Sequence, residues 1–305
     1  MIKKWFENKL ERNELRNYTN TRLNENKFYN KLARKFSITN WIIIANIIIY
    51  ITIIILKIYG FSEQKIMNIF ALQADSFFNG AYWTLLTSMF THIWIPHLFF
   101  NMISLFFIGN FLEKLIGRKK MLVFYIISGL FAGMIYSLLS FYFGDTEIGA
   151  KLFVSPETYS VGASGAIFGI AGLLAILTPK MKVYLVAGPI LALIFQSIFH
   201  AVIKNPTIIS LLDFIIMFYI FFSIFTIFSF NPNTRKLSVP LAMPFWILPI
   251  VAIVPLVIVG LFVDLPIGNT AHLGGLISGF IYGKYLKNKY KNKTQIISKK
   301  FSGFG

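Results

Sequence analysis

Gly162-Ala163-Ser164-Gly165 opens one long apolar run of this chain, and Ala271-His272-Leu273-Gly274-Gly275 opens another. In each, a side chain able to do chemistry sits among small residues at the head of a segment otherwise suited to burial. A histidine in an apolar helix is costly in lipid and is by default a mark of function. The neighbouring small residues are periodic. Ala271, Gly275, Gly279 and Gly283 recur every four positions, as do Gly165 and Gly169. Stripes of that kind let two helix backbones approach closely, so the packing pattern and the reactive residues point to the same pair of helices.

The rest of the chain is built to match. Of its 305 residues, 56% are apolar and 13% charged, with a mean hydropathy of +0.67. A soluble domain carries about 25% charged residues, so this is a chain solvated mainly by lipid. Runs such as 41–56 and 208–230 are long enough for a hydrocarbon core of about 30 Å. Apolar runs and their breaks give about eight spans, near 40–58, 89–112, 120–143, 161–179, 183–203, 207–230, 239–262 and 268–288. The expected fold class is therefore an all-α, polytopic membrane protein. The chain has no cysteine, which excludes disulfides, zinc–thiolate sites and a cysteine nucleophile. No nucleotide-binding pattern stands out, and neither a cofactor nor a metal is expected.

The formal net charge is +17, but its placement argues against nucleic acid as a partner. Basic residues crowd the N-terminal segment, alternate connections (Lys114, Arg118, Lys119 and Lys120; Lys180 and Lys182; Arg235 and Lys236) and the C-terminal tail. The opposite connections hold only Lys57, Lys65, Lys151 and Lys204, beside Asp145, Glu147, Glu157 and Asp264. Excess Lys and Arg mark the cytoplasmic side, which puts both termini there. Attraction to anionic headgroups is a secondary reading of the same charge. The chain divides into a cytoplasmic segment 1–38 with a short juxtamembrane helix, a transmembrane domain 39–288, and a basic cytoplasmic tail 289–305. The lysine-rich stretch from Lys284 reads as disordered, and the apolar outer loop 59–82 as lying in the membrane interface. Abundant Ile, Lys and Asn fit a prokaryotic low-GC genome, from which a cell-membrane location follows.

Ser164 stands where an outer loop becomes the fourth span. The first amides of a helix lack intrahelical partners and favour negative charge, so they suit the oxyanion formed when a serine attacks a carbonyl. His272 opens the last span on that same side. On the second span, His97 and Asn101 are four apart and share a helix face; they add side-chain donors to the Ser164 amide. Each cluster has a plainer reading. Glycine–serine pairs pack membrane helices, and His97 with Asn101 could be interhelical polar glue. Three clusters at one membrane level favour catalysis. His200 and Asp213 also fall near the outer face, without a nucleophile motif, and read as a structural pair or as water-exposed residues.

Taken together, these motifs resemble the rhomboid family of intramembrane serine proteases. The resemblance covers about 40–180 and 240–288, the six core spans, and makes 181–262 the region holding two additional ones. His97-x-x-x-Asn101, with His92 five residues earlier, resembles the family's oxyanion pattern. Gly109-x-x-x-Glu113-x-x-x-Gly117 resembles its structural motif. Gly162-Ala163-Ser164-Gly165 resembles its nucleophile motif, and Ala271-His272-x-x-Gly275-x-x-x-Gly279 its general-base motif. The resemblance implies a six-span bundle with a Ser164–His272 dyad lacking a third acidic member, an oxyanion site of Ser164, His97 and Asn101, and a structural Glu113. It implies a serine endopeptidase cutting single-pass transmembrane proteins near the extracytoplasmic face. The alternative is a catalytically inactive rhomboid-like protein that binds membrane clients. A transporter fits less well, because the inner halves of the spans are almost wholly apolar. Two features depart from the family pattern. Trp83 is followed by Thr84 where an arginine is usual, and three spans rather than one separate the serine and histidine helices. Which of the three occupies the core position is open.

Overall fold

The computed structural model describes residues 36–227, 236–261 and 268–302. Its first long helix, α1 (Ile38–Ile58), is almost wholly apolar and is capped by the Ser37 hydroxyl, which accepts from the Asn40 amide at 3.1 Å. Two short helices follow, α2 (Glu63–Phe70) and α3 (Ala74–Phe78), then α4 (Thr84–Thr87) running into a 3₁₀ turn at Ser88–Phe90. Helix α5 (Ile95–Ile116) contains a π-turn at Leu105–Gly109, and α6 (Arg118–Phe143) is the longest element. Next come α7 (Glu147–Phe153) and α8 (Ser164–Leu177). The second half comprises β1 (Lys182–Val186), α9 (Ala187–Val202), α10 (Pro206–Ile227), β2 (Pro240–Pro244), α11 (Leu248–Gly260), α12 (Asn269–Lys289) and α13 (Lys291–Ser302).

The protein is mostly helical, and among the described residues four helices are long and apolar enough to cross a bilayer: Ile38–Ile58, Ile95–Ile116, Arg118–Phe143 and Pro206–Ser223. Helix α8 lies at the centre, with nearly every residue buried, between α12, α6, α5 and α11. The tightest packing is along α8 and α12, where the two small-residue stripes face each other. A Cβ on Gly275 would overlap the Gly165 carbonyl oxygen, and one on Gly279 would fall 2.7 Å from the Leu173 amide nitrogen. Those glycines set the interhelical distance.

The motif at the far end of α5 has a mechanical explanation. Both carboxylate oxygens of Glu113 accept from the start of α1: the Ile38 amide at 3.0 Å, the Thr39 amide at 2.9 Å and the Thr39 hydroxyl at 2.7 Å. A carboxylate is favourable at a helix N-terminus, where amides are unpaired and the dipole is positive. Gly109 lets α1 close in, since a Cβ there would stand 2.8 Å from the Thr39 methyl, and Gly117 turns the chain into α6 at φ +87°.

The loop between α1 and α5 is held without an arginine after Trp83. The Trp83 indole donates to the Ile69 carbonyl at 3.0 Å, and Thr87 donates to the Phe70 carbonyl at 3.0 Å. Leu72 and Ser160 exchange both backbone bonds, at 3.0 and 2.7 Å, tying this loop to the one before Ser164. Thr84 is itself fully buried and donates to the Ala81 carbonyl.

Several boundaries differ from expectation. The expected span 89–112 begins as a helix only at Ile95, because Pro96 favours the first turn of a helix. His92 therefore precedes the helix that carries His97. The stretches expected to open spans at 183 and 239 instead pair as an antiparallel ribbon, Lys182 opposite Pro244 and Val186 opposite Pro240. Apolar β-branched and aromatic residues such as Val183 and Tyr184 suit a strand as well as a buried helix, and the prolines sit at the ends of an edge strand. Within 59–82, expected to lie in the membrane interface, Ile66, Met67 and Phe77 are buried against protein, whereas Phe61 and Ile69 are exposed. The stretch from Lys284 is helical rather than disordered through Ser302, and Phe301 meets the Phe111 ring at 5.2 Å. The segment 1–35, with its expected juxtamembrane helix, and Asp264 lie outside the described residues.

Among the three described helices separating α8 from α12, α11 is the one packed against both. Helices α9 and α10 pack chiefly on each other. His200 and Asp213 join that pair at 2.7 Å, and Gln196 donates to the same carboxylate oxygen at 2.7 Å.

Candidate active site

Two helix starts converge at one point. Ser164 is the first residue of α8, and His272 lies in the first turn of α12, its amide bonded to the Gly268 carbonyl at 3.1 Å. The α8–α12 crossing brings the Ser164 Oγ within 2.8 Å of the His272 Nε2, inside the range a nucleophile–base pair requires. His272 is 8% exposed. Its ring is stacked on Phe168, with centroids 4.3 Å apart and planes at 23°. Phe168 follows Ser164 by four residues and so stands on the same face of α8; it fixes the imidazole plane that the serine meets. Among the described residues nothing hydrogen-bonds the His272 Nδ1.

The approach to Ser164 is built from tightly held backbone that only glycine adopts readily. Gly162 has φ +118°, a conformation side chains rarely adopt, and its amide donates to the Ser88 carbonyl at 2.8 Å. An added Cβ would fall 2.7 Å from the His97 Nε2 and 3.7 Å from the Asn101 Nδ2. His97 and Asn101 therefore flank the strand entering α8, one helical turn apart on α5. Asn101 is 6% exposed, and its amide donates to the His97 carbonyl at 2.9 Å, leaving a second N–H. The His97 ring is backed edge-on by the fully buried His92, at 4.9 Å. Gly165 abuts α6, where a Cβ would meet that of Ala132 at 2.7 Å.

The loop ahead of the serine is fastened from α6 as well. The Tyr136 hydroxyl donates to the Thr158 carbonyl at 2.7 Å, and the Ser140 hydroxyl donates to the Val154 carbonyl at 2.9 Å. Sequence reasoning placed neither tyrosine nor serine in this role. Tyr136, Ser140 and Gly133 share one face of α6, and that periodicity was the available signal. Glu113 and its flanking glycines sit at the opposite end of α5 from His97.

The arrangement offers a hydroxyl against an imidazole, with helix-start amides and two polar side chains beside them. That is the equipment of acyl transfer: a nucleophile, a base and an oxyanion site.

Comparison with known proteins agrees with the architecture. Residues 79–224 match the family model described as the Rhomboid domain. That stretch includes His97, Asn101 and Ser164; His272 lies beyond it. The chain is 34% identical over 128 residues to the mitochondrial RHOMBOID-like protein 12 of Arabidopsis thaliana, covering 41% of this chain and 38% of that protein. It is 34% identical over 133 residues to Rhomboid-like protease 3 of Toxoplasma gondii, covering 43% and 45%. It is 33% identical over 157 residues to Rhomboid protease AarA of Providencia stuartii, covering 48% and 54%. The chain thus spans about half or less of the length of these curated relatives. By this match and these relatives, residues 79–224 form a Rhomboid domain, the domain of a family whose proteins are integral to membranes.

Proposed function

We propose that this protein is an intramembrane serine endopeptidase in which Ser164 is the nucleophile and His272 the general base. The observation that carries the reading is the 2.8 Å contact between the Ser164 Oγ and the His272 Nε2. Neutral His272 takes the hydroxyl proton as the Ser164 Oγ bonds to the substrate carbonyl carbon. The carbonyl oxygen becomes an oxyanion held by the Ser164 amide, His97 and the second N–H of Asn101. The intermediate collapses, the C–N bond breaks, and His272 returns its proton to the leaving amine. Water, deprotonated by the same imidazole, then releases the acyl group and restores the hydroxyl. Lost oxyanion donors of this kind cost about 10²- to 10³-fold in turnover.

The dimensions of α8 explain how the chemistry is set within the bilayer. Its 14 residues span roughly 21 Å, short of a hydrocarbon core of about 30 Å. With Thr178 to Lys180 at one interface, Ser164 lies on the order of 10 Å beneath the other. The substrate is a transmembrane protein, single-pass by the simplest geometry, whose helix must unwind locally, since helical amides are engaged in hydrogen bonds. The charge pattern supports about eight spans, both termini on the cytoplasmic side and cleavage toward the extracytoplasmic face of the cell membrane.

Co-expression with a single-pass reporter tests the reading. Wild type should cleave it, and Ser164→Ala and His272→Ala, folded and inserted as wild type, should not. Undiminished turnover in either variant refutes the assignment. A folded wild type that binds such proteins without cutting them would favour the alternative, an inactive rhomboid-like client-binding protein.

A further inference from the structure

A groove of about 590 Å³ runs between α6 and α12 and is almost wholly apolar. Its walls are Val123, Ile127 and Phe131 from α6, and Ile281 with Tyr282 and Tyr285 from α12. Val123, Ile127 and Ile281 are all more than half exposed, so none of the described residues fills the groove. Ser278, a polar group in its wall, is already satisfied: the hydroxyl is 2.6 Å from the Ser128 hydroxyl and 2.6 Å from the Gly275 carbonyl. Hydrocarbon suits such a floor, and a polar ligand does not.

One end of the groove is strongly basic. Lys119 and Lys120 line it, and no Asp or Glu does. The Lys120 ammonium lies 5.4 Å from the Tyr290 ring centroid. Lys289 joins the cluster through the Tyr285 hydroxyl, at 2.7 Å, and lies 5.8 Å from the Tyr290 centroid. Three ammonium groups and a phenol therefore stand around one mouth, with apolar walls leading away. From Lys119 to Phe131 the groove follows α6 for roughly 18 Å, close to one leaflet of a core about 30 Å thick. An occupant must carry negative charge at one end and about a leaflet's depth of hydrocarbon behind it.

We propose that this groove binds one anionic phospholipid, its phosphate between Lys119, Lys120 and Lys289 and an acyl chain along Val123, Ile127 and Ile281. The site rests on the groove and its charge, independent of the protease reading. The lipid would brace α6 against α12, the helix that carries His272 at its other end.

The test uses the full chain in nanodiscs of equal phosphatidylglycerol and phosphatidylcholine, released for native mass spectrometry with retained lipids counted. Wild type should retain phosphatidylglycerol over phosphatidylcholine by about fivefold or more, the factor expected of one lysine near a lipid surface. Lys119→Gln with Lys120→Gln should abolish the preference. So should Ile127→Trp, which fills the groove without changing charge; Val123→Phe serves if the tryptophan variant does not fold. Lys151→Gln, on α7 beyond the opposite end of α6, should leave it intact. Equal retention of the two lipids by wild type overturns the proposal, as does a preference that survives the double lysine substitution. A preference lost with the lysines but kept in the groove-filling variant also overturns it, because surface charge alone would then be the cause.

Discussion

Substituting Gly275 by alanine probes the crossing that joins serine to histidine. The new Cβ would overlap the Gly165 carbonyl oxygen and lie 3.2 Å from the Gly169 amide. Neither neighbour is a side-chain end that can swing away. Restoring ordinary contact requires the α8 and α12 backbones to part by on the order of 1 Å. Overpacking of this kind costs about 1–3 kcal/mol. The Ser164–His272 contact, now 2.8 Å, would open past the roughly 3.2 Å limit for proton transfer. A displacement of that size costs about 100-fold in rate. The assay is cleavage of a single-pass reporter in proteoliposomes, beside thermal unfolding of the same samples. Gly283→Ala is the comparison: its Cβ would press on the Ile176 side chain at 2.8 Å, well along α12 from His272, so stability should fall with little loss of rate. A folded Gly275→Ala protein cleaving at the wild-type rate would refute the claim that this glycine sets the dyad's spacing.

Asn101→Ala should lower turnover by about 10²-fold with little effect on folding; reporter kinetics at saturating substrate measure it. Glu113→Gln weakens a carboxylate that receives three donors at the start of α1, and should cost about 1–3 kcal/mol. Thermal unfolding should register the loss while the chemistry of the folded fraction is unchanged. Tyr136→Phe removes the bond to the Thr158 carbonyl and leaves that acceptor unpaired. A loss of about 1 kcal/mol is expected, with faster proteolytic nicking of the loop at 154–160.

The meeting of Ser164 and His272 was legible because two signals agreed. Reactive residues opened apolar runs whose charge pattern put them at one expected membrane level, and small residues at a spacing of four showed which helix faces would touch. Their catalytic role rests on chemistry and is tested by reaction. Spacing also placed His97 and Asn101 on one face, but not the positive φ of Gly162 that seats them against the serine segment. The Glu113 cap was harder to read, since its partners, Ile38 and Thr39, are distant in sequence and donate chiefly through backbone. Hydropathy failed at the β1–β2 ribbon because an apolar run of five residues has no decisive period. It also failed for the C-terminal stretch, where abundant lysines masked the apolar contact of Phe301 with Phe111. The position of α11 depended on tertiary packing alone: three similar apolar runs carry no mark of which one fits between α8 and α12.

The most direct measurement is covalent labelling of the membrane-embedded protein by a fluorophosphonate, with the modified residue located by mass spectrometry. The account predicts a single adduct on Ser164, absent in Ser164→Ala and reduced at least about 100-fold in rate in His272→Ala. Labelling at another serine, or unchanged labelling of Ser164 without the imidazole, would contradict it.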